Sequence, residues 1–490
     1  AFVAGDHVVH RDHGIGRYQG LETVTVNGVA HDCLLILYDK SDKLFVPVEN
    51  INLISRYGSA GTEVVLDKLG LPTWGTRKAK VKKKLFEMAA QLMKIAAERA
   101  THKAIPLLSD DTNPLETFDA FCARFPHVET DDQLQAIDET LSDLESTQPM
   151  DRLVCGDVGF GKTEIALRAA YKAVLAGTQV ALIAPTTLLV RQHFQTFLAR
   201  FQKTGVKIAQ LSRLVTPKEA QTFKQDLAKG SLDIIIGTHA LLAPSIQFRK
   251  LGLLIVDEEQ HFGVRQKEKI KALKSDVHVL TLTATPIPRT LQLALSGVRD
   301  MSLIATPPVN RLSVSTFVSP LNETLVRDAI LREKARGGQI FCVCPRIEGL
   351  EKIRTLLQDI VPEATLQVAH GRIPPTQLEE TMERFQARAF DILLSTNIIE
   401  SGIDVQTANT LLVFQANLFG LSQLYQLRGR VGRSHLQACA YFFLPRAGGV
   451  SDTAMKRLEV LQSLDYLGAG FQVASHDMDI RGAGNLVGEE

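Results

Sequence analysis

The octapeptide Gly156-Asp157-Val158-Gly159-Phe160-Gly161-Lys162-Thr163 carries the pattern G-x-x-x-x-G-K-[ST]. The chemistry it suggests is the grip of a phosphate chain. Glycines let backbone N–H groups turn inward around phosphate oxygens, at the positive end of a helix. Lys162 would reach the β- and γ-phosphates, and the Thr163 hydroxyl would ligand Mg²⁺. The octapeptide follows the apolar run Leu153–Cys155 and precedes a helical segment, Glu164–Ala176. That strand, loop and helix order separates it from a chance match.

A second anchor for Mg²⁺ is available in Asp257-Glu258-Glu259-Gln260, directly after the apolar run Leu253–Val256. An acidic cluster alone is usually a solvated surface. At the end of a buried strand, Asp257 is expected beside the phosphate loop as the Mg²⁺ anchor, and Glu258 as the group that orients or deprotonates the attacking water. Positive charge for the transferring phosphoryl group would come from Gln426-Leu427-Arg428-Gly429-Arg430-Val431-Gly432-Arg433. Arg430 and Arg433 are three residues apart, so both can serve one helix face. Such a pair facing the γ-phosphate would be worth about 10³–10⁵ in rate.

These groups need elements to hold them. From residue 151 the chain alternates apolar runs with helical segments: Leu153–Cys155, Val180–Ala184, Ile234–Ile236, Leu253–Val256 and Val277–Thr283. A second series follows at Ile340–Cys344, Leu366–Ala369, Ile392–Ser395 and Leu411–Phe414, with Pro307-Pro308 between the two. Continuous apolar runs of this kind fit strands covered on both faces, so the expected fold class is α/β, with two doubly wound parallel-sheet lobes. Residues 1–58 differ. Short apolar runs broken by Asp12–Gly16, Asn27-Gly28 and Asp39–Asp42 predict a small β module, with a hairpin at Asn27-Gly28. Val81, Leu85, Met88, Leu92 and Ile95 predict one long helix over 74–103, strongly basic at its start. The organisation expected is therefore a β module (1–58), a linker with the long helix (59–125), a first lobe (126–305), a second lobe (306–448) and a short terminal region (449–490).

Composition agrees with a globular chain of about three domains' length. There are 490 residues, 45% of them hydrophobic and 22% charged, and Lys+Arg (55) balances Asp+Glu (54). The balance excludes a histone-like tail but leaves room for a local basic stripe on nucleic acid. Six scattered cysteines lack zinc spacing; Cys342 and Cys344, two apart in the run Ile340–Cys344, read as core thiols, and a reducing cytoplasm is expected. His10 and His13 lack partners for a metal site. The longest uncharged stretch, Ala173–Val190, contains Gly177 and Pro185, so no membrane span is expected. The chain opens on Ala1 and closes inside an apparent motif at Glu490, which suggests a piece of a longer protein.

Further strings stand in a telling order: Phe125 with Thr130 and Gln133; Pro185-Thr186-Thr187; Gly237-Thr238-His239; Thr283-Ala284-Thr285-Pro286; Ser395-Thr396-Asn397; and Glu400-Ser401-Gly402-Ile403-Asp404. Together with the phosphate loop, the acidic box and the arginines, they resemble the superfamily-two helicases and translocases over some 300 residues. That resemblance implies RecA-like lobes and ATP as the nucleotide. Phe125 and Gln133 would read adenine, and Gly402 and Asp404 would meet the nucleotide from the second lobe. Thr186, Thr187, Thr238 and Thr396 would hold a DNA backbone. Met150–Lys162, Gly252–Val264 and Leu280–Arg289 are more closely similar to the bacterial transcription-repair coupling family. Val8-Val9-His10, His13–Tyr18 and Val46-Pro47-Val48 resemble that family's Tudor/CarD-like β-barrel, which would bind the β subunit of RNA polymerase. The helix 74–103 resembles the family's relay helix. Asp479–Gly484, with Arg481 as a DNA contact, resembles a translocation motif shared with RecG-type enzymes and incomplete here. The acidic box continues into Gln260-His261, a departure that bears on coupling between the lobes rather than on Mg²⁺ or water. On the resemblance, the family's region for binding excision-repair proteins and its C-terminal autoinhibitory domain would lie outside these 490 residues, so this stretch is expected not to recruit the excision machinery by itself and to hydrolyse ATP without the usual restraint.

The expected activity is ATP-driven translocation along double-stranded DNA, independent of base sequence because backbone contacts carry no base information. On the resemblance, the motor would push a stalled RNA polymerase forward and displace it from DNA. A RecG-like remodeller of forks or junctions shares the motor and is the alternative. A non-enzymatic polymerase adaptor would not need Lys162, Asp257, Glu258, Arg430 and Arg433, and an RNA helicase would respond to RNA instead of duplex DNA.

Overall fold

In the computed structural model of the chain, the residues described are 2, 4–26, 29–56, 66–69, 97, 101, 103–108, 116–213, 215–259, 262, 266, 270, 276–284, 299–308, 312–396, 405, 407–432, 436–446, 449–464 and 473. The long helix expected over 74–103 falls almost wholly outside them.

The N-terminal module is a five-stranded antiparallel sheet in the order β4-β3-β2-β1-β5, from β1 (His7–His10), β2 (Gly14–Val26), β3 (Val29–Leu37), β4 (Lys43–Pro47) and β5 (Ile54–Arg56). Val26 pairs with Val29, the register a hairpin at Asn27-Gly28 requires. Val8, Leu34, Ile36, Tyr38 and Val46 fill its core. Gly14 has φ +86°, and a Cβ there would stand 2.4 Å from the Asp67 carboxylate. Asp67 accepts the Ile15 amide at 2.9 Å and gives its own amide to Ile15 O, so a residue beyond position 58 closes this module.

The first lobe is a seven-stranded sheet in the order β12-β6-β11-β10-β7-β9-β8, with parallel pairings throughout. Its strands are β6 (Asp151–Gly156), β7 (Gln179–Ile183), β8 (Ile208–Leu211), β9 (Ile234–Gly237), β10 (Leu251–Asp257), β11 (His278–Thr283) and β12 (Asp300–Ile304). The central strands are buried along their length, because helices cover both faces. One core joins Val154, Leu182, Ile255 and Leu280 to the helices Asp131–Glu145, Lys162–Leu175 and Thr187–Phe201. The other face packs Ile183, Ile235, Val256 and Val279 against Leu227 and Phe262. Leu107 and Phe121, both fully buried, belong to the first core. His278 ties that approach down, taking the Met150 amide at Nδ1 and meeting Ile105 O with Nε2.

The second lobe is a six-stranded parallel sheet in the order β13-β18-β17-β14-β16-β15. It comprises β13 (Ser315–Pro320), β14 (Gln339–Val343), β15 (Leu366–Ala369), β16 (Ile392–Ser395), β17 (Ala408–Val413) and β18 (Cys439–Leu444). Cys342 and Cys344 lie in its core, with Ile340, Leu394, Leu412 and Phe443. The α/β class with two parallel-sheet lobes, expected from the apolar runs, is the fold seen. No helix among the described residues is long and apolar enough to cross a membrane.

Candidate active site

Strand β6 ends at Gly156 and the helix Lys162–Leu175 begins six residues later. The loop between them turns through Gly159 at φ +81° and Gly161 at φ +80°, left-handed values that glycine adopts without strain. Gln133 braces this loop. It closes a capping box with Thr130 at the start of the helix Asp131–Glu145, and its Nε2 donates to Phe160 O at 2.9 Å. The Phe160 ring is fully buried in the lobe core, so this residue offers the loop only its backbone. Lys162 folds back over the loop, donating to Gly156 O at 2.5 Å and Asp157 O at 3.0 Å. Burial pushes its ammonium pKa down, against the pull of Glu258, Asp257 and Asp157. Thr163 sits in the first turn beside it.

The acidic side is built from the adjacent strand ends, with Asp257 at the last position of β10, level with Leu282 of β11. Asp257 is buried. Burial raises its pKa, but the hydrogen bond from His193 and the charges of His193, Lys162 and Arg430 outweigh that effect and hold the carboxyl below its ordinary range. The His193 Nε2 lies 2.7 Å from Asp257 Oδ2. Glu258 has φ +49°, a left-handed conformation that a glutamate adopts at a cost of about 1–3 kcal/mol. Its carboxylate is caught by Thr283 Oγ1 and the Ala284 amide, both at 3.3 Å, so the acidic box is bonded to the start of the Thr283-Ala284 segment. Below them, Arg299 joins Asp151, Glu259 and Thr281 in a buried ionic cluster.

The second lobe reaches this site through the helix Leu421–Arg428. The Tyr425 hydroxyl donates to Asp157 Oδ2 in the phosphate loop, and Gly429 lies against Val158. Arg430 is buried, and its charge is among those that depress Asp257. Arg428 is turned elsewhere. It packs over the Tyr425 ring at 4.7 Å and donates to Leu461 O at 3.0 Å and Leu464 O at 2.5 Å. The structure thus brings Lys162, Thr163, Asp257, Glu258 and Arg430 to one seam. Arg433, Gly402, Asp404 and Arg481 lie outside the described residues, as do Gln260 and His261.

Phe125 carries Arg168 over its ring at 5.6 Å. Three of the four threonines expected on a nucleic-acid backbone, Thr186, Thr187 and Thr238, gather at a different opening. Thr186 and Thr238 cap the starts of the helical segments Thr187–Phe201 and His239–Leu242. With Thr187 and Arg213 they line a cavity of about 260 Å³, closed from the second lobe by Ile373 and Glu379. Arg191 pairs with Glu383 across the same gap. Thr396 follows β16, and its carbonyl accepts from Ser395 Oγ at 3.0 Å.

Sequence reasoning missed two polar residues at this seam. His193 stands on the buried stripe Leu189, Val190, Phe197 and Phe201, where an apolar side chain is expected, and that mismatch was its signal. Tyr425 sits in the helix Leu421–Arg428, one residue before the arginine segment, and had no comparable signal.

Comparison with known proteins agrees with this geometry. Residues 130–294 match the DEAD/DEAH box helicase family, 322–435 the helicase conserved C-terminal domain, and 2–58 the CarD-like/TRCF RID domain. The chain is 50% identical to the transcription-repair-coupling factor of Rickettsia bellii over 99% of its own length and 43% of the relative's. It is 48% identical to that of Escherichia coli over 99% and 42%. The chain therefore spans less than half the length of the curated relatives it matches. Among solved structures it is similar to RecG bound to a three-way DNA junction, with TM-score 0.68 and 27% identity over 94% of this chain and 74% of that one. The S. cerevisiae protein Dbp5 bound to RNA and ADP BeF3 shares the fold, with TM-score 0.53 and 16% identity over 71% and 93%.

Proposed function

We propose, from the premise that this chain belongs to the transcription-repair-coupling factors and carries their superfamily-two helicase motor, that it is an ATP-driven translocase on double-stranded DNA that displaces stalled RNA polymerase in the cytoplasm. One observation supports the motor above the others: the second lobe bonds the phosphate loop of the first through Tyr425 and Asp157, and after His193 the charges holding Asp257 down are Lys162 from its own lobe and Arg430 from the other. A triphosphate bound at Gly156–Thr163 would therefore be felt by both lobes, and hydrolysis would let them part. Thr163 and Asp257 offer hard oxygen donors that suit Mg²⁺, which when bound would neutralise developing charge on the phosphates. Glu258, fixed by Thr283 and Ala284, is aimed to orient the attacking water. Thr186, Thr187, Thr238 and Thr396 grip the DNA backbone by hydroxyl and amide donors, without reading bases. The sheet at residues 2–58 is the polymerase-docking module.

The test is release of a stalled RNA polymerase from duplex DNA with ATP. The parent is expected to release it, Lys162→Ala to lose ATPase and release together, and deletion of 1–58 to lose release while keeping ATPase. Release by the deleted protein at the parent's rate would overturn the polymerase role.

The likeness to a RecG structure solved on a three-way junction supports a second reading, remodelling of branched DNA. Under that reading ATP would drive junction unwinding, and removal of residues 1–58 would leave it intact.

A further inference from the structure

His193 takes no part in the proposed chemistry, yet it is a polar side chain on a core-facing stripe. It lies three and four residues beyond Val190 and Leu189, and four before Phe197, all buried. Burying an imidazole among them costs free energy unless it is hydrogen-bonded, and the bond it makes is to Asp257 Oδ2. The helix that carries it begins at Thr186, whose hydroxyl accepts the Leu189 amide. From Thr187 to His193 is about 9 Å of helix rise. The strand that feeds this helix, β7, is paired directly with β10, Ile183 lying level with Val256. Thr186 and Asp257 are thus joined twice, through the sheet and through the imidazole.

We infer that His193 is a positioning residue that orients the Asp257 carboxylate for the magnesium–nucleotide and ties it to DNA contacts made at the N-terminus of the helix Thr187–Phe201. The bond occupies one carboxylate oxygen and fixes the carboxylate plane, as partners of metal-binding carboxylates do. A pull on the helix start would be felt at Asp257 because no flexible segment intervenes. The inference rests on the proposed motor and adds the route by which DNA would regulate it.

The experiment uses the full chain, with His193→Ala and His193→Gln. Gln places an amide nitrogen near the position of Nε2, so it keeps the donor without the ring. Binding of a fluorescent ATP analogue is titrated with Mg²⁺, and ATPase is measured with and without duplex DNA. For His193→Ala the Mg²⁺ concentration giving half-maximal binding is expected to rise about 10–100-fold, the effect common for second partners of metal-site groups. Binding in EDTA should match the parent, stimulation by DNA should fall, and His193→Gln should recover most of both losses. A purely structural imidazole would lower thermal stability and leave the Mg²⁺ titration in place. An unshifted titration in both variants overturns the inference. Should His193→Ala not fold, His193→Leu, which fills the apolar stripe but has no donor, takes its place: a raised Mg²⁺ requirement with reduced DNA stimulation supports the route, and an unshifted titration overturns it. A parent that duplex DNA does not stimulate would instead count against the motor, while the Mg²⁺ titration would still judge His193.

Discussion

Replacing Gly161 by Ala tests whether the phosphate loop is held by its own backbone or by Gln133. Two costs are readable at this position. At φ +80°, a left-handed conformation costs an L-residue roughly 1–2 kcal/mol. The new Cβ would also stand 2.4 Å from Gln133 Nε2, which must move. Gln133 cannot swing freely, because its Oε1 is tied to the Thr130 amide at 3.0 Å. Displacing Nε2 therefore breaks the 2.9 Å bond to Phe160 O, worth about 0.5–1.5 kcal/mol. A combined loss of about 2 kcal/mol corresponds to roughly 30-fold easier local opening. Hydrogen exchange of peptides covering 156–175, measured without nucleotide, reads that opening directly and does not require the whole chain to unfold in one step. The same substitution is then made in a Gln133→Ala background. With no amide to displace, only the backbone cost remains, so the two changes should couple by about 0.5–1.5 kcal/mol. An equal penalty in both backgrounds would refute the bracing role of Gln133.

Two further perturbations separate structural from chemical charge. Arg428→Ala removes the donors to Leu461 O and Leu464 O and the packing on Tyr425, so thermal unfolding should show a loss of about 2–3 kcal/mol, with Lys restoring only part because it lacks the planar fork. Asp391 accepts from Thr365 N and Oγ1 and from Lys334; burial raises its pKa, but these bonds outweigh it and hold the carboxyl below its usual range. A depressed carboxylate contributes stability that is complete above the ordinary value near pH 4 and disappears as pH falls through the folded value. Asp391→Asn should therefore cost about 1.5–3 kcal/mol at pH 7, and denaturant unfolding of parent and variant should converge as pH falls from near 4 through the depressed folded value.

How much of this could be read in advance depends on burial. The runs at Leu153–Cys155, Val180–Ala184, Ile234–Ile236 and Leu253–Val256 lie in strands covered on both faces, so they were legible as β6, β7, β9 and β10. The strands that sequence reasoning passed over include three edges of the two parallel sheets, β8, β12 and β13, and the interior strand β18, whereas the edge β15 was read as Leu366–Ala369. In β12 and β13 buried positions are interrupted by exposed ones, and β8 has only two buried residues. An edge strand covered on one side leaves no continuous apolar run to find. The site behaves the same way. Gly156–Thr163, Asp257 and Glu258 were legible because their chemistry is local to a few residues. His193 and Tyr425 were not, because each acquires its partner, 64 and 268 residues away, only when the sheets and lobes are assembled. Asp67 is the parallel case in the small module, meeting Ile15 at a separation of 52 residues.

The register of the first sheet explains why so many short motifs can act together. Cys155 is level with Thr283, Leu282 with Asp257, Val256 with Ile183, and Ile183 with Gly237. The phosphate loop, the Thr283 segment, the acidic box, Thr186 and Thr238 therefore all leave the same, C-terminal edge of one parallel sheet, where open α/β sheets place their ligands. Spacings along that edge are set by strand separation, about 4.8 Å per step, and cannot change without breaking the sheet. If the chain works as the proposed translocase, so rigid a sheet would not pass force by stretching; whole lobes would move, and breakable contacts between them would suit that. Among the described residues, contacts of that kind include the Tyr425 hydroxyl on Asp157, Gly429 against Val158, the exposed ion pair between Arg191 and Glu383, and the charge of Arg430 acting on Asp257. Each is small against the buried sheets behind it, so under the proposed motor the seam would open before either lobe yields.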